Sequence, residues 1–283
     1  MKLLPQLLLV SAGLIAVKGL DTRLEVTQYQ VVSHKIPKEF DGYKIVQVSD
    51  YHCEHIAGLT NEITEETPDI IVSTGDMVND YGEITPAIRF TKKLAEIAPL
   101  YMITGNHDVW RSDYKELVAE SENAGGVFLN DETIELERDG AKIALSGISD
   151  PFARTKDKIA EHIRNSLEKI STYDGFHIAM FHRANWLDMF KGQGFDLVLS
   201  GHMHGGQIRL PGLGGLLSPK TSLLSGGKIL FPHYFGGVYQ DNDTKMIVSR
   251  GLGNPMIIPR LFNRPELVVI TLKSKQEPTD TDN

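Results

Sequence analysis

The sequence predicts an α/β protein in which helices lie outside two packed β-sheets. Strand and helix patterns alternate in the first half of the chain, give way to an antiparallel hairpin pattern near residue 140, and then alternate again. Five short apolar runs also end directly in Asp, Asn or His. Because ligands collect where the strands of an α/β sheet end in loops, these runs predict strands that bring polar side chains to one sheet edge.

The first predicted elements are a strand, a turn, a second strand and a helix. Alternation over Leu24–Ser33 predicts the first strand, and Asp41-Gly42 is a turn signal before the strand that begins at Lys44. The polar stretch Thr60–Glu66 is expected to be a helix that stops before Pro68.

Two further helices are predicted before residue 126. Thr85 has the position of an N-cap because Pro86 follows it, and Pro99 should end that helix. Ser112 is expected to cap the next helix, which Gly125-Gly126 should terminate. The residues expected to form the apolar stripe of the first of these helices are Ile84, Ile88, Ala95 and Ala98.

In the middle of the chain, the alternation of strand and helix patterns gives way to a hairpin pattern. Asp139-Gly140 is a strong two-residue hairpin signal between the alternating stretches Thr133–Arg138 and Ala141–Leu145. Thr155–Ile170 is the best helix pattern in the chain, with Ile159, Ile163, Leu167 and Ile170 predicted to form one apolar stripe. The Gly-, Pro- and Ser-rich stretch Leu210–Gly227 is expected to be a loop beside the functional site.

The C-terminal part is expected to hold the last strands, Lys245–Ser249 and Glu266–Leu272, before a polar and disordered tail from Lys273. We therefore divide the chain into an N-terminal segment (1–20), one domain (24–273) and a tail (274–283).

The N-terminal residues 3–17 form an apolar run between Lys2 and Lys18. The run is shorter than the roughly 20 residues that a spanning helix needs, and its charged start suits an export signal. Val17-Lys18-Gly19 is a poor cleavage site, so we favour an uncleaved membrane anchor with an extracytoplasmic domain. Cleavage and secretion is the second interpretation, and a buried helix of the domain is the third.

Composition excludes several classes of function. The formal net charge of −8 argues against a nucleic-acid partner, which requires clustered Lys and Arg. The single cysteine, Cys53, excludes an intramolecular disulfide and a thiolate-rich zinc site, and we expect it to be a packing residue. We expect the chain to be a monomer.

The polar residues at the ends of the five runs predict a metal centre. Carboxylate and imidazole together favour Mn, Fe, Zn or Ni over Ca or Mg. The candidate ligands are Asp50, His52, Asp76, Asn106, His182, His202 and His204. Seven ligands are too many for one first-row ion, whereas two ions that share a bridging carboxylate, placed at Asp76, would use them all.

These residues lie in blocks that resemble the calcineurin-like metallophosphoesterases. The blocks are Asp50-Tyr51-His52, Gly75-Asp76-Met77-Val78-Asn79, Gly105-Asn106-His107-Asp108, His182 and Gly201-His202-Met203-His204. They occur in the order of the family pattern over about residues 43–210. The sequences around residues 205–208, 251–254 and 263–266 are similar to an exported or membrane-associated bacterial branch, represented by a Bacillus cell-wall phosphoesterase. Tyr51 and the Arg183-Ala184-Asn185 sequence depart from the pattern.

The resemblance implies a four-layer αββα sandwich with two mixed sheets, and a specific assignment of ligands. One ion would be held by Asp50, His52, Asp76 and His204. The second would be held by Asp76, Asn106, His182 and His202. A hydroxide that bridges two divalent ions, with manganese favoured, would attack phosphorus. His107 would then protonate the leaving alkoxide, oriented by Asp108; the alternative is that His107 is only a structural turn residue.

The sequence therefore predicts a two-metal phosphoesterase that acts on a phosphomonoester, phosphodiester or pyrophosphate. We expect the substrate to be a phosphorylated small molecule or a lipid-linked or cell-envelope compound. The alternatives are a catalytically silent metal-binding or scaffolding module and a hydrolase with a single metal ion.

Overall fold

The computed structural model describes residues 18–170, 173–210, 212–219 and 230–275. The strands are β1 (Glu25–Ser33), β2 (Lys44–Val48), β3 (Ile70–Ser73), β4 (Leu100–Met102), β5 (Gly126–Phe128), β6 (Glu132–Arg138), β7 (Ala141–Ile148), β8 (His177–Arg183), β9 (Leu197–Gly201), β10 (Arg209–Leu210), β11 (Gly214–Gly215), β12 (Gly237–Asp241), β13 (Thr244–Val248) and β14 (Glu266–Ser274). The helices are α1 (Leu59–Glu65), α2 (Thr85–Ile97), α3 (Asn106–Val109), α4 (Tyr114–Asn123) and α5 (Lys156–Ile170). Single 3₁₀ segments cover Lys38–Phe40, Ala184–Phe190 and His204–Gly206.

The described residues form two mixed six-stranded sheets and a small hairpin of β10 and β11. The first sheet has the order β1-β14-β2-β3-β4-β5, in which β2 to β5 are parallel neighbours. The second sheet has the order β12-β13-β9-β8-β7-β6, in which β13, β9, β8 and β7 are parallel neighbours. Both sheets therefore carry a parallel centre whose strands end at one edge.

Alternating residues of each strand pack into separate layers. On β2, Ile45 faces the core between the sheets, whereas Val46 packs with helices α1, α2 and α4 on the outer face of the first sheet. On β8, Ile178 belongs to the central core, whereas Ala179 packs with α5 outside the second sheet. The layers are thus helix, sheet, sheet and helix, which confirms the predicted fold class.

Local signals predicted several elements correctly. Asp139 and Gly140 have φ angles of 52° and 83°, as a two-residue hairpin requires, and they join β6 to β7. Helix α5 buries the predicted stripe of Ile159, Ile163, Leu167 and Ile170.

Helix starts were predicted less well. Thr85 is the first residue of α2 and Ile84 is its N-cap, with no side-chain cap. The most deeply buried residues of α2 are Ala87, Phe90, Thr91 and Leu94. The predicted stripe lies at the side of this face: Ala98 is buried, and Ile84, Ile88 and Ala95 are partly buried against the same core. Asp113, rather than Ser112, is the N-cap of α4, and its carboxylate pairs with Arg111.

Short and edge strands account for the remaining differences. Gly126, which was predicted to terminate a helix, is also the first residue of strand β5. The stretch expected to be loop contains the end of β10 and all of β11, and residues 211 and 220–229 lie outside the described residues. Strand β14 continues to Ser274 because it pairs along its length with β1, in register from Glu25 to Ser33.

The predicted N-terminal anchor, residues 3–17, and the predicted tail beyond residue 275 lie outside the described residues. Within the part of the chain that the structure describes, no helix combines the length and apolar character needed to cross a membrane.

Candidate metal centre

The seven candidate ligands lie at the carboxyl ends of central strands in both sheets. From the first sheet, Asp50 and His52 follow β2, Asp76 follows β3, and Asn106 begins α3 just after β4. From the second sheet, His182 lies near the end of β8, and His202 and His204 follow β9. The structure therefore brings together ligands that are up to 154 positions apart in the sequence, from Asp50 to His204.

Six of these side chains form two buried clusters. One contains Asp50, His52 and His204, and the other contains Asp76, His182 and His202; within each, the ligand atoms lie within 4.8 Å of one another. Each cluster draws on both sheets. Asn106 is also buried, with 1% of its surface exposed, and begins the helix beside Asp76.

The carboxylate of Asp76 lies between the two clusters. Its Oδ2 atom is 3.0 Å from Nε2 of His182 and 3.9 Å from Nε2 of His52. Its Oδ1 atom accepts a 2.8 Å hydrogen bond from the backbone N–H of His107, which fixes the carboxylate plane. One oxygen of Asp76 therefore faces a ligand atom of each cluster, as a bridging ligand would.

The carboxylate of Asp50 is held by the second sheet and by its neighbour. Ser49 Oγ donates to Oδ2 at 2.6 Å, and the backbone N–H of His202 donates to the same atom at 3.0 Å. Nε2 of His204 lies 3.5 Å from the other oxygen, Oδ1. Hydrogen bonds across the sheet interface thus set the position of this carboxylate before any ion binds.

Backbone carbonyls orient two of the imidazoles. Nδ1 of His52 lies 3.1 Å from the carbonyl of Val78, and Nδ1 of His182 lies 2.8 Å from the carbonyl of Thr74. Because Nδ1–H donates in both cases, Nε2 is the nitrogen that faces the cluster, which is the orientation that metal-binding histidines adopt. On His52 this nitrogen has a free lone pair, whereas on His182 it donates its proton to Asp76.

Unpartnered buried atoms test whether this donor set fits transition-metal ions. Among the described residues, Nε2 of His52 and Oδ1 of Asn106 are buried without a hydrogen-bond partner. Leaving a buried hydrogen-bond acceptor without a partner costs free energy. Both atoms are electron-pair donors, so the expected partner is a cation. Together with imidazole and carboxylate donors, these atoms fit two first-row divalent ions.

The backbone at the site is strained in a consistent way. Asp50, His52, Asp76, His202 and His204 have φ angles of 51°, 50°, 55°, 72° and 46°. Five of the seven candidate ligands thus adopt the left-handed conformation, which non-glycine residues seldom do. Such strain concentrates at functional sites, where the fold holds side chains in place against it.

Two glycines of the sequence blocks are explained by the close approach of neighbouring turns. A Cβ atom at Gly105 would overlap the carboxylate of Asp76, and one at Gly201 would overlap Ser49 and the carboxylate of Asp50. Only glycine lets the turn after β4 and the end of β9 lie against the two ligand carboxylates.

Burial sets the protonation of most ligands. Burial lowers the pKa of His52 to about 3 and holds the pKa values of His202 and His204 well below the ordinary value. These three imidazoles are therefore neutral, which is the form that binds metal. Burial likewise raises the pKa of the Asp50 carboxyl.

His182 and Asp76 behave as an ion pair in the metal-free protein. Burial disfavours the charge on His182, but the Asp76 carboxylate outweighs it and raises the pKa of His182 to about 10. Burial also disfavours the charge on Asp76, and His182 outweighs it there and lowers that pKa. An ion that binds His182 must displace its proton.

His107 lies beside the clusters without belonging to either. Its ring packs edge-on against His52 with centroids 5.0 Å apart, and its side chain is 24% exposed. Nδ1 contacts Oδ1 of Asp80 at 2.8 Å. The expectation that Asp108 orients this imidazole is therefore wrong, because Asp80 makes that contact.

Asp108 instead fixes the backbone that carries Asp76. Its buried carboxylate accepts hydrogen bonds from the N–H groups of Gly105, Asp76, Met77 and Val78 at 2.8–3.3 Å. Burial raises its pKa to about 7. Asp108 is thus the anchor between the turn after β4 and the turn after β3.

Three residues near the clusters were not assigned a role from the sequence. The family pattern has a further acidic position after Asp76, which falls on Asn79 or Asp80 in this sequence and therefore carries no assigned role. Arg183 stood out as a departure after His182; it is buried and forms a bidentate pair with Asp150, at 2.5 and 2.6 Å. Arg260 gave no local signal, and its Nη2 lies 3.4 Å from Nδ1 of His204.

Cys53 is half-buried, and burial raises the pKa of its thiol. It packs with the helices outside the first sheet, as a packing residue would.

Comparisons with known proteins agree with this site. The calcineurin-like phosphoesterase family model matches residues 43–206. The uncharacterized Bacillus subtilis metallophosphoesterase YkuE is 34% identical over 89% of this chain and 86% of its own length. The uncharacterized metallophosphoesterase YkoQ of the same organism is 28% identical, over 79% of this chain and 81% of its own.

A solved structure of phosphopantetheinyl hydrolase from Mycobacterium tuberculosis superposes with a TM-score of 0.53 at 10% identity, over 85% of this chain and 100% of that chain. That likeness concerns the fold. The sequence relatives and the family match carry the identification: this chain belongs to the calcineurin-like phosphoesterase family.

Proposed function

We propose that this chain hydrolyses phosphoric esters with two divalent transition-metal ions, manganese favoured, held by the seven candidate ligands. The observation that carries the proposal is the position of Asp76 Oδ2 between the two buried clusters. When bound, two such ions supply Lewis-acid charge and a nucleophilic oxygen at neutral pH.

The protein's own groups would prepare the site for that chemistry. Ser49 and the His202 backbone position the Asp50 carboxylate, and Asp108 positions the turn that carries Asp76. Burial keeps three of the imidazoles neutral. These hydrogen bonds come from the protein itself, so they would hold the ligands in the orientation that the reaction needs.

We propose His107 as the general acid. Its Nδ1 is engaged by Asp80, so Nε2 is the nitrogen that would give a proton to a departing alkoxide. The Asp80 carboxylate orients the ring through Nδ1, in the way that the aspartate of a catalytic triad orients its histidine. A silent metal-binding module would have no need of this pair, which favours the enzyme.

We also propose that the domain acts outside the cytoplasm, attached to the membrane through residues 3–17, on a lipid-linked or cell-envelope phosphate. The apolar run with its weak cleavage site supports this location. The bond cleaved, whether monoester, diester or pyrophosphate, depends on the loops that surround the metal centre.

The test is hydrolysis by full-length protein loaded with manganese, across nucleotides, phospholipids, lipid-linked sugar diphosphates, wall polymers and an aryl phosphodiester. We expect turnover that a chelator removes and manganese restores. A protein that binds no transition metal and hydrolyses none of these compounds would contradict the proposal.

A further inference from the structure

The loop from Gly251 to Asn263 connects the metal centre to an apolar tip. At its base, the N–H of Gly253 donates to the carbonyl of Asp50 at 2.6 Å, and Arg260 contacts His204. At its tip, Ile257 is fully exposed and Ile258 is 42% exposed, within the apolar sequence Pro255-Met-Ile-Ile-Pro259. An aliphatic tip in water, fastened to a catalytic centre, is unfavourable unless something covers it.

A second apolar element lies against the same region. The segment that follows His204 carries β10, and the hairpin turn after β10 exposes Leu213 at 69%. Leu230 and Phe231 are 53% and 55% exposed, and the Phe231 N–H donates to Leu216 at 2.9 Å. Leu216 in turn donates to the carbonyl of Ile208, at 2.7 Å.

Hydrogen bonds join the two elements. The Gln207 side chain donates to the carbonyl of Ile258 and to Asn254, the latter at 2.8 Å. The N–H of Arg209 donates to the carbonyl of Leu261 at 2.9 Å. Both apolar tips are therefore built on one hydrogen-bonded framework that begins at His204.

The described N-terminus reaches the same framework. The N–H of Phe262 donates to the carbonyl of Gly19 at 2.6 Å, and Leu20 is 51% exposed. The apolar run of residues 3–17 thus precedes a point that is fixed beside the loop 251–263. Lys18 is exposed next to it, where a cation would meet anionic headgroups. We call Leu20, Leu213, Leu230, Phe231, Ile257 and Ile258 the apolar rim.

We propose that the apolar rim docks on a lipid bilayer and presents the metal centre to the phosphate groups of membrane lipids. This inference rests on the proposed function and names its substrate class. A bilayer fits better than a second copy of the chain, because the apolar residues lie at separate loop tips. Such tips insert between lipids, whereas a stable protein interface needs a broad complementary face.

Fluorescence quenching tests the docking without requiring activity. In a Cys53→Ser background, the full chain is labelled with an environment-sensitive dye at Ile257→Cys and reconstituted into anionic vesicles that contain nitroxide-labelled lipids. The matched control is Val127→Cys, an exposed aliphatic position on β5, at the other edge of the first sheet from β1. We expect strong quenching at position 257 and little at position 127.

Equal and weak quenching at both positions would overturn the proposal. So would a signal at position 257 that depends on protein concentration and not on nitroxide lipid, because it would identify a second copy as the occupant.

An activity comparison tests the substrate class. The Ile257→Asp variant should hydrolyse a vesicle-embedded phospholipid about 10- to 100-fold more slowly, the loss expected when one aliphatic side chain no longer inserts. Its hydrolysis of a soluble aryl phosphodiester should be unchanged, and Val127→Asp should leave both rates unchanged. Equal losses on both substrates for Ile257→Asp would contradict lipid presentation. Hydrolysis of the aryl phosphodiester without hydrolysis of the phospholipid would overturn the lipid substrate class alone. If the wild type hydrolysed no compound of the full panel, the proposed function would fail, and the quenching pattern alone would decide the docking surface.

Discussion

The two sheets contribute different chemistry to one site. The first sheet supplies the carboxylates of Asp50 and Asp76 and the amide of Asn106, with His52 as its one imidazole in the clusters. The second sheet supplies imidazoles only, from His182, His202 and His204. Neither sheet alone carries enough ligand side chains to hold two ions. The metal centre is therefore a property of the packing between the sheets.

This division has a physical consequence. Each carboxylate is held by one group from its own sheet and one from the opposite sheet: Ser49 and the His202 N–H hold Asp50. The His107 N–H and His182 hold Asp76 in the same way. An ion in either cluster would cross-link the sheets, so metal binding and the stability of the interface should be coupled.

The largest effect is expected from removing the negative charge of Asp76, the carboxylate that lies where the two sheets meet. Asp76→Asn should abolish turnover and lower metal content more than any other single ligand change, because one oxygen of Asp76 faces a ligand atom of each cluster. The measurement is metal-dependent hydrolysis together with metal analysis, with the exposed Asp157→Asn as control. A fully loaded and active Asp76→Asn protein would refute the bridging role.

A change beside the clusters should separate metal binding from proton transfer. His107→Ala should keep both ions and lose roughly 10²- to 10⁴-fold in kcat on an alkyl phosphodiester, the usual contribution of a general acid. A nitrophenolate leaves without a proton, so the loss on a nitrophenyl phosphodiester should be much smaller.

Asp80→Asn is the matched variant for that experiment, because it removes only the negative charge of the group that contacts Nδ1. It should show the same dependence on the leaving group with a smaller loss. Equal losses on both substrates, or loss of the ions from His107→Ala, would contradict the assignment of His107 as the acid.

Removal of the ions should loosen the sheet interface. Ion at about 1,000 times its Kd stabilises the folded state by roughly 4 kcal/mol. For a chain of this size that corresponds to a Tm increase of roughly 8 °C, at about 2 °C per kcal/mol. Thermal unfolding with manganese and with chelator measures it. His182→Ala should lose most of the gain, whereas His162→Ala, on α5 outside the second sheet, should keep it.

The smallest predicted effect is the release of a proton from His182 when metal binds. In the metal-free protein Asp76 raises the pKa of His182 to about 10, so the pair's contribution to stability is complete below about pH 6.5 and is lost as pH approaches 10. Metal must displace this proton, so metal affinity should rise with pH across the same window. Mixing metal with weakly buffered protein at pH 7.5 and recording an indicator dye should show proton release. No release in the wild type would contradict the ion pair.

The sequence was most informative about the site and least informative about its surroundings. Each ligand lies near the end of an apolar strand or within a few residues after it, so the local pattern located all seven positions. The assignment of each one as a ligand stays a prediction. The partners that hold them are distant in sequence and have no local pattern: the carbonyls of Thr74 and Val78 act through the backbone, and Asp108 acts on a neighbouring turn.

In the fold, too, features with local sequence signals were predictable and features that depend on distant partners were not. Long amphipathic elements such as α5 and the hairpin of β6 and β7 were predictable, because their signals are local. Three-residue β5 and the extension of β14 to Ser274 depend on pairing with strands elsewhere in the chain. The buried face of α2 also depends on packing, because alternative stripes of similar polarity were available along it.

The central claim is that two ions share Asp76 at the interface of the sheets, and low-temperature electron paramagnetic resonance of protein loaded with two equivalents of Mn²⁺ tests it most directly. Ions bridged at ~3.5–4 Å couple magnetically. We predict the spectrum of an exchange-coupled pair in the wild type, replaced in Asp76→Asn by the six-line spectrum of isolated ions or by free metal. A six-line spectrum from fully loaded wild-type protein would contradict the account.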